Sequence, residues 1–367
     1  MPEPITESTI VEGLSGLGIE PTSHLMVHAS LSKFGHVGGG PSTVVKALRQ
    51  AAGPRGAVAI PSFRDAIRSV HYALRDCQNL CPQKLCPSHE RGYTGATGET
   101  LRQEPDAVRS CHPTHSWVGI GADAPFLLEG HGNSPTPCGR DSPFFRLMQR
   151  DGSILLLGVG MNAITNIHAV EDARNVPYLS AIDPPYRHAT YTTSGKRIQY
   201  RFAEMLHGAL RESRLIRSVQ IGEATCHRIG ARALGSFLWL ITEDDPWCLV
   251  LRPRGDTFNP EEDARLKTQR MIEVWKKNSN REAWQKLLET SKRTVRPELL
   301  RLAVEPRTDC PAYGGIVRGY HRCAANDIPP WESFDEHGFQ AAGVATCEHC
   351  NWKAPRHPEE VGTGSGT

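Results

Sequence analysis

HLMVHASLSKFGHVGGGPSTVVKALRQAAGPRGAVAI, residues 24 to 60, sets the architecture of this chain. It opens on a run of strand length, His24-Leu25-Met26-Val27-His28, which breaks into the polar, glycine-rich stretch from Ala29 to Gly40. A helix follows, with Ser42 placed to cap it, Val44, Val45, Leu48 and Ala52 on one face, and Gly53 to close it. Residues 57 to 60, AVAI, read as another buried strand. Strand, glycine loop, helix, strand is the order in which an α/β layered domain is built, and such domains gather functional groups where strands hand over to helices.

Upstream, Ile10, Val11, Leu14 and Leu17 fall at helical spacing, and Gly18 stands where a left-handed C-cap would end the helix. Downstream, Trp117-Val118-Gly119-Ile120 and the run from Ser153 to Val159 read as two further buried strands, the second again entering a glycine turn. The stretch from His71 to Tyr93 lacks periodicity and reads as a long loop of the kind that serves as a lid. Beyond Pro246 the character changes: Asn259, Pro260 and the acids Glu261, Glu262 and Asp263 make a helix start. Leu266, Met271, Ile272, Trp275, Trp284, Leu287 and Leu288 then recur among charges, as amphipathic helices require. The expected fold is a three-layer α/β/α sandwich over residues 1–258 with a helical extension over 259–305. A small cysteine-rich module over 306–355 and a disordered tail over 356–367 complete it.

Lys plus Arg number 42 against 40 Asp plus Glu, a net charge of +2 that supplies no global field for nucleic acid or an anionic membrane. No apolar run is long enough to cross a bilayer, and the first residues have neither a basic nor an apolar leader region, so a soluble, cytoplasmic protein is expected. Eleven cysteines without an export signal favour free thiols or metal ligands over a full set of disulfides. Cys310, Cys323, Cys347 and Cys350, with one C-x-x-C and with His321 and His349 nearby, form a candidate structural zinc site. Cys77, Cys81, Cys86 and His89 form a second cluster in the long loop, and free thiols are the alternative for both.

Three segments carry a resemblance. The first is Val27-His28-Ala29-Ser30-Leu31 followed by Gly35-His36-Val37-Gly38-Gly39-Gly40. The second is His112-Pro113-Thr114-His115-Ser116 with Thr136-Pro137-Cys138-Gly139 and Asp141-Ser142-Pro143-Phe144 after it. The third is Leu157-Gly158-Val159-Gly160-Met161-Asn162, continuing through Ile167-His168-Ala169-Val170-Glu171. In this order and spacing, over residues 25 to 186, they resemble the aminoglycoside 3-N-acetyltransferase family. The resemblance implies dependence on acetyl-coenzyme A (acetyl-CoA) and that family's α/β/α fold. By resemblance, Ser30, Leu31, Ser32, Lys33, Val37, Gly38 and Gly39 line the pantetheine and pyrophosphate path, and His168 and Glu171 stand where the family has a histidine and a glutamate.

The chemistry gives these residue types a purpose. An amine acceptor, with a pKa of about 8 to 10, is mostly an ammonium at neutral pH and has no lone pair for a thioester. A base must take its proton, and His168 is the candidate, since imidazole changes charge near the operating pH. Glu171 is three residues on, on the same face of a helix, where a carboxylate can fix the ring's tautomer; Asp172 points elsewhere. The glycines of the 30–40 loop let backbone amides approach a ligand, and the next helix offers its positive end to phosphates, although a plain glycine turn has the same composition. Thr114 or Ser116 is a candidate donor to the oxyanion of acyl transfer, or else bonds its own turn. His28, His112 and His115 are candidates for the acceptor site. Nothing near Cys111 or Cys138 marks a nucleophile, so direct transfer without an acyl-enzyme is expected.

One feature departs from the family. After Pro185-Tyr186-Arg187, residues 188 to 222 contain only Glu204 and Glu212 as acids, too few for a polycationic drug, so a smaller or less cationic amine is the expected partner. A non-catalytic member that binds a partner through its cysteine-rich module is the main rival reading, and a metal-dependent hydrolase is another; the oligomeric state is left open.

Overall fold

The computed structural model describes residues 3–63, 92, 94–110, 115–131, 138–174, 176, 179–180, 187–188, 202–251, 258–278 and 282–290, with the backbone of 313–317 and 320–323. The first helix, α1 (Glu7–Gly16), is capped by Thr6, whose side chain accepts from the Thr9 amide. It ends as the glycine position demands: Gly18 adopts φ +78°, its amide reaches Ser15 O at 2.8 Å, and the Ile19 amide reaches Leu14 O at 3.1 Å. Helix α2 (Pro41–Ala52) begins earlier than its sequence suggests. Gly40, not Ser42, is its N-cap, because Pro41 has no amide hydrogen to lose and a preset φ for the first turn.

Strands β1 (His24–Ala29) and β2 (Ala57–Pro61) flank α2, as expected. The next elements are α3 (Ala96–Arg102), β3 (Val108–Arg109), β4 (Trp117–Ile120), α4 (Ala124–Leu128), α5 (Pro143–Gln149), β5 (Ser153–Leu157) and α6 (Ile167–Arg174). The short strands β6 (Leu179–Ser180) and β7 (Arg187–His188) pair with each other, followed by α7 (Phe202–Glu212), β8 (Ile216–Ile221), β9 (Ala224–Gly230) and α8 (Ala231–Asp244).

Seven of these strands form one mixed sheet in the order β3-β4-β2-β1-β5-β9-β8. β1 runs parallel to β2 and to β5, while β4, β3, β9 and β8 add antiparallel wings. Alternation along the strands divides the core in two. Leu25, Val27, Val58, Ile60, Leu155 and Leu157 face α1, α2 and α3. Met26, Ala57, Ala59, Ile154 and Leu156 face the opposite layer, which contains α4 to α8. Each fully buried leucine or valine contributes about 1.5–3 kcal/mol, which is why the three central strands read as unbroken apolar runs. The expected three-layer arrangement is therefore present across the described part of the mixed α/β domain.

Helices α9 (Pro260–Asn278) and α10 (Trp284–Thr290) form the extension. They pack on α7 and α8, and α10 also meets α6; Met271, Ile272, Val274 and Leu287 join the same core as the sheet. Leu266 departs from the expected apolar face and is 51% exposed. At the start of α9 the Asn259 side-chain oxygen accepts from the amides of Glu261 (3.1 Å) and Glu262 (3.4 Å). Within the cysteine-rich segment only the antiparallel pair β10 (Tyr313–Val317) and β11 (Tyr320–Cys323) is described. Cys323 ends that pair, whereas Cys310, Cys347 and Cys350, the 77–89 cluster, most of the long loop from His71 and the tail lie outside the described residues. No helix among the described residues is long and apolar enough to cross a membrane.

Candidate active site

The three parallel strands all end on one edge of the sheet, β1 at Ala29, β2 at Pro61 and β5 at Leu157. The turns that β1 and β5 then enter are stitched together by the Ser30 amide, which donates to Leu157 O at 2.9 Å. Gly158 makes their nesting possible. It holds φ +67°, and a Cβ there would stand 2.8 Å from Lys33 Cβ and 3.1 Å from Ser30 O. After a short turn over Met161–Ala163 the chain enters α6, so the third motif delivers its histidine to the edge where the first motif's loop begins.

His168 Nδ1 lies 2.6 Å from Glu171 Oε2; the histidine side chain is 24% exposed and the glutamate 0%. The bond sets the tautomer. With Nδ1–H donating to the carboxylate, the other ring nitrogen, Nε2, carries the lone pair and can accept a proton. A carboxylate withdrawn from water is also a strong support for the imidazolium that results.

A row of ring contacts runs from His28 to His115, which feels the charge of His168. His28 meets Trp117 edge-on at 5.6 Å between centroids, Trp117 meets Phe63 at 6.0 Å, and Phe63 meets His115 at 4.6 Å. Burial pushes the His28 imidazole down to about 4, opposed by a smaller upward effect of its side-chain hydrogen bond with Asn166. Burial likewise takes His115 down to about 3, with positive charge at His168 and then at His131 adding to the effect. His115 is therefore neutral at pH 7 and within electrostatic reach of the dyad.

The remaining sequence candidates divide. Ser116 is buried, donates its hydroxyl hydrogen to Ser62 O at 2.6 Å and accepts from Arg109 Nε at 3.0 Å. That leaves it no proton to offer a ligand; it braces the ends of β2 and β4 together with Arg109, which also donates to Ser62 O. Ser30, Leu31, Ser32 and Lys33 form the turn at the end of β1, with the Ser30 and Ser32 hydroxyls 3.3 Å apart. Val37 sinks its side chain into the core, held by a bridge to Ile5, so it presents no side chain to a ligand. The amides of Gly38 and Gly40 bond Ile5 O and Val37 O, leaving those of Gly39 and Ser42 without an acceptor among the described residues. Gly39 (φ +80°) and Gly40 (φ +62°) give the loop its path onto an α2 N-terminus that has no side-chain cap. His112 and Thr114 lie outside the described residues.

Two features were not anticipated. Asn166, buried at the start of α6, stands next to His28 although the chain separates them widely; its only local signal is the cap preference of asparagine before a helix. Trp117 reads in sequence only as part of a buried strand, and it, Phe63 and Arg109 enter the site only through strand pairing.

The described thiols are poor nucleophiles. Cys138 is buried, burial raises Cys226 to about 11, and Cys248 is pushed up by burial and by the charge of Asp245 and Glu171. No group of three or more His, Cys, Asp or Glu suited to a metal occurs among the described residues.

Residues 26–239 match the profile of a family described as aminoglycoside 3-N-acetyltransferase. Aminoglycoside N(3)-acetyltransferase VIII of Streptomyces fradiae is 32% identical over 220 residues, covering 55% of this chain and 72% of that protein. Among solved structures, AAC-IIIb bound to CoASH superposes with a TM-score of 0.54 at 25% identity, over 66% of this chain and 97% of that one. A mutant of aminoglycoside acetyltransferase AAC(3)-IVa in complex with a gentamicin gives a TM-score of 0.55 at 25% identity, over 73% of this chain and 99% of that one.

Proposed function

The chain belongs to the aminoglycoside 3-N-acetyltransferase family and is an acetyl-CoA-dependent N-acetyltransferase; from that premise we propose direct acetyl transfer to an amine with His168 as general base and Glu171 as its orienting partner. The observation that carries this reading is the 2.6 Å contact between His168 Nδ1 and a fully buried carboxylate. An ammonium arriving at His168 gives its proton to Nε2 as the freed nitrogen lone pair turns to the acyl carbon. Glu171 steadies the imidazolium until the proton moves on to the departing thiolate or to water. The raised thiols of Cys226 and Cys248 favour direct transfer over an acyl-enzyme.

Acetyl-CoA, when bound, supplies the activated thioester carbonyl. We assign its grip to Ser30, Leu31, Ser32, Lys33, Gly38 and Gly39, with the uncapped α2 N-terminus and the open amides of Gly39 and Ser42 suited to a phosphate. Thr114 keeps its proposed role near the thioester and His112 and His115 theirs near the acceptor, His115 supported by its proximity to His168. Structural zinc on Cys310, Cys323, Cys347 and Cys350 stays a proposal from their spacing.

The acceptor is proposed to be smaller or less cationic than an aminoglycoside. Glu204 and Glu212 are both exposed, and Glu212 is engaged by Arg211 at 3.5 Å. Thiol release from acetyl-CoA, followed across an amine panel with the intact chain and His168→Ala, tests both parts. The variant should lose about 10²–10⁴-fold in kcat. Full turnover by His168→Ala removes the base assignment, and rapid acetylation of deoxystreptamine drugs removes the acceptor reading.

A further inference from the structure

The residues that follow α8, Asp245 to Leu251, form a tight bend that α9 clamps. The bend closes on itself, with the Cys248 amide donating to Asp245 O at 3.0 Å and the Val250 amide to Trp247 O at 3.2 Å. Asp245 uses both carboxylate oxygens here. Oδ1 accepts from the Trp247 amide at 2.9 Å, and Oδ2 accepts from Lys267 Nζ at 2.9 Å. The same ammonium donates to Trp247 O, also at 2.9 Å. Lys267 thus grips the bend by a side chain and by its backbone at once. Only 17% of the lysine side chain is exposed, which sets this contact apart from a loose surface ion pair.

The bend emerges beside the catalytic helix. α6 and α8 pack together, and Arg174 Nη2 of α6 donates to Thr242 O, three residues ahead of Asp245, at 3.3 Å. Glu171 lies three residues before Arg174, on the same face of α6. Cys248, Leu249, Val250 and Leu251 are buried in the core cluster that also holds Val170 and Ala173 of α6. The Cys248 thiol is pushed up first by burial and then by Asp245, and Glu171 adds to the rise, so the bend lies within reach of that carboxylate's charge. Glu171 has no exposure, and its bond to His168 is strong because water does not compete for it.

We propose that Lys267 is a positioning residue for acetyl transfer: by pinning the 245–251 bend against α6, it keeps water away from the bond between Glu171 and His168. The inference rests on the base assignment above. It gives the helical extension, which begins beyond residues 26–239, a part in the reaction. Without the ammonium the bend loses two charge-assisted hydrogen bonds and opens more often, and water then weakens the bond that orients the base.

The test compares Lys267→Met with Lys267→Arg and the intact chain. Alkylation of native protein by iodoacetamide, read by mass spectrometry on the peptide that contains Cys248, reports opening of the bend. Lys267→Met should label about tenfold faster or more, from the two bonds lost. Its kcat in thiol release should fall by about 2- to 30-fold, with the KM for acetyl-CoA within about twofold. The low-field proton resonance of His168 Nδ1–H, identified by its loss in His168→Ala, should weaken through exchange with water. Lys267→Arg, which keeps two donors, should restore all three. A lower urea midpoint as the sole change means a clamp that only stabilises, and it overturns the proposal. So does a labelled Cys248 with wild-type kcat, or a reduced kcat with Cys248 still protected. Should Lys267→Met not fold, Asp245→Asn, which keeps Oδ1 for the Trp247 amide and removes the charge facing Lys267, carries the same comparisons. Full turnover by His168→Ala removes the base reading instead, and the labelling of Cys248 then still decides whether Lys267 holds the bend.

Discussion

Replacing Glu171 by glutamine keeps the side chain's shape and removes its charge, which isolates the carboxylate's contribution to the dyad. The bond to His168 Nδ1 is 2.6 Å long and Glu171 has no exposure, so the interaction is charge-assisted and shielded from water. Such a bond contributes about 1.5–3 kcal/mol, compared with about 1 kcal/mol for a neutral pair, so losing the charge alone costs about 0.5–2 kcal/mol. At about 1.36 kcal/mol per factor of ten, that is roughly 2- to 30-fold in rate if the amide oxygen still faces the ring. If instead the amide turns its NH2 toward Nδ1, the ring must move its proton to Nε2, and the nitrogen meant to accept the amine's proton is blocked. The loss then approaches the full contribution of general-base catalysis, about 10²–10⁴-fold. The expected result is therefore a kcat between about 2-fold and 10⁴-fold lower, with the KM for acetyl-CoA within about twofold, since Glu171 lies in α6 and not in the 30–40 loop. Steady-state thiol release at varied acetyl-CoA and saturating amine reads both parameters. A Glu171→Gln protein with wild-type kcat, or one whose defect is confined to KM, would refute the reasoning.

Three further outcomes follow from single contacts. The His28 imidazole falls from 6.5 to about 4 on folding, so between those values the unfolded chain takes up a proton that the native state refuses, and stability declines as pH drops. Urea unfolding at about pH 7.5 and pH 5 should therefore show the wild type losing roughly 2 kcal/mol more than His28→Gln, from about 1.5 pH units at 1.36 kcal/mol each; equal acid sensitivity would remove burial of His28 as the cause. Asn259→Ala deletes the acceptor for the Glu261 and Glu262 amides and should lower stability by about 1 kcal/mol, with Asn259→Asp near wild type; an unchanged urea midpoint for the alanine variant would show that this cap contributes nothing. Gly158→Ala places a methyl 2.8 Å from Lys33 Cβ at φ +67°, which should cost about 1–3 kcal/mol and displace the 30–33 turn. Its KM for acetyl-CoA should rise by about tenfold or more on the roughly 1.4 kcal/mol per decade scale, and a wild-type KM would take that turn off the cofactor path.

Local order was legible wherever it depends on neighbours in the chain. The glycine after α1, the Asn259 cap, the buried runs of β1, β2, β4 and β5, and the placement of Glu171 three residues after His168 all follow from capping, periodicity and helix pitch. Those effects act within one to four residues, so a short window of sequence suffices to read them. The two-residue strand β3, the edge strand β8 and its neighbour β9 were not legible, because short or half-exposed strands lack an apolar run: β8, IRSVQI, has only Ile221 fully buried.

The sequence by itself determined that a histidine and a glutamate would share a helix face at the end of a central strand, next to a glycine loop. Tertiary structure alone decided what surrounds them. It committed the Ser116 hydroxyl to Ser62 and Arg109, turned Val37 into the core, and brought His28, Trp117 and Asn166 together from three separate elements. Contacts of that kind join residues 7 to 140 positions apart and depend on strand register and sheet order. A shift of one residue in a strand sends each side chain to the other face, so no local pattern can specify them.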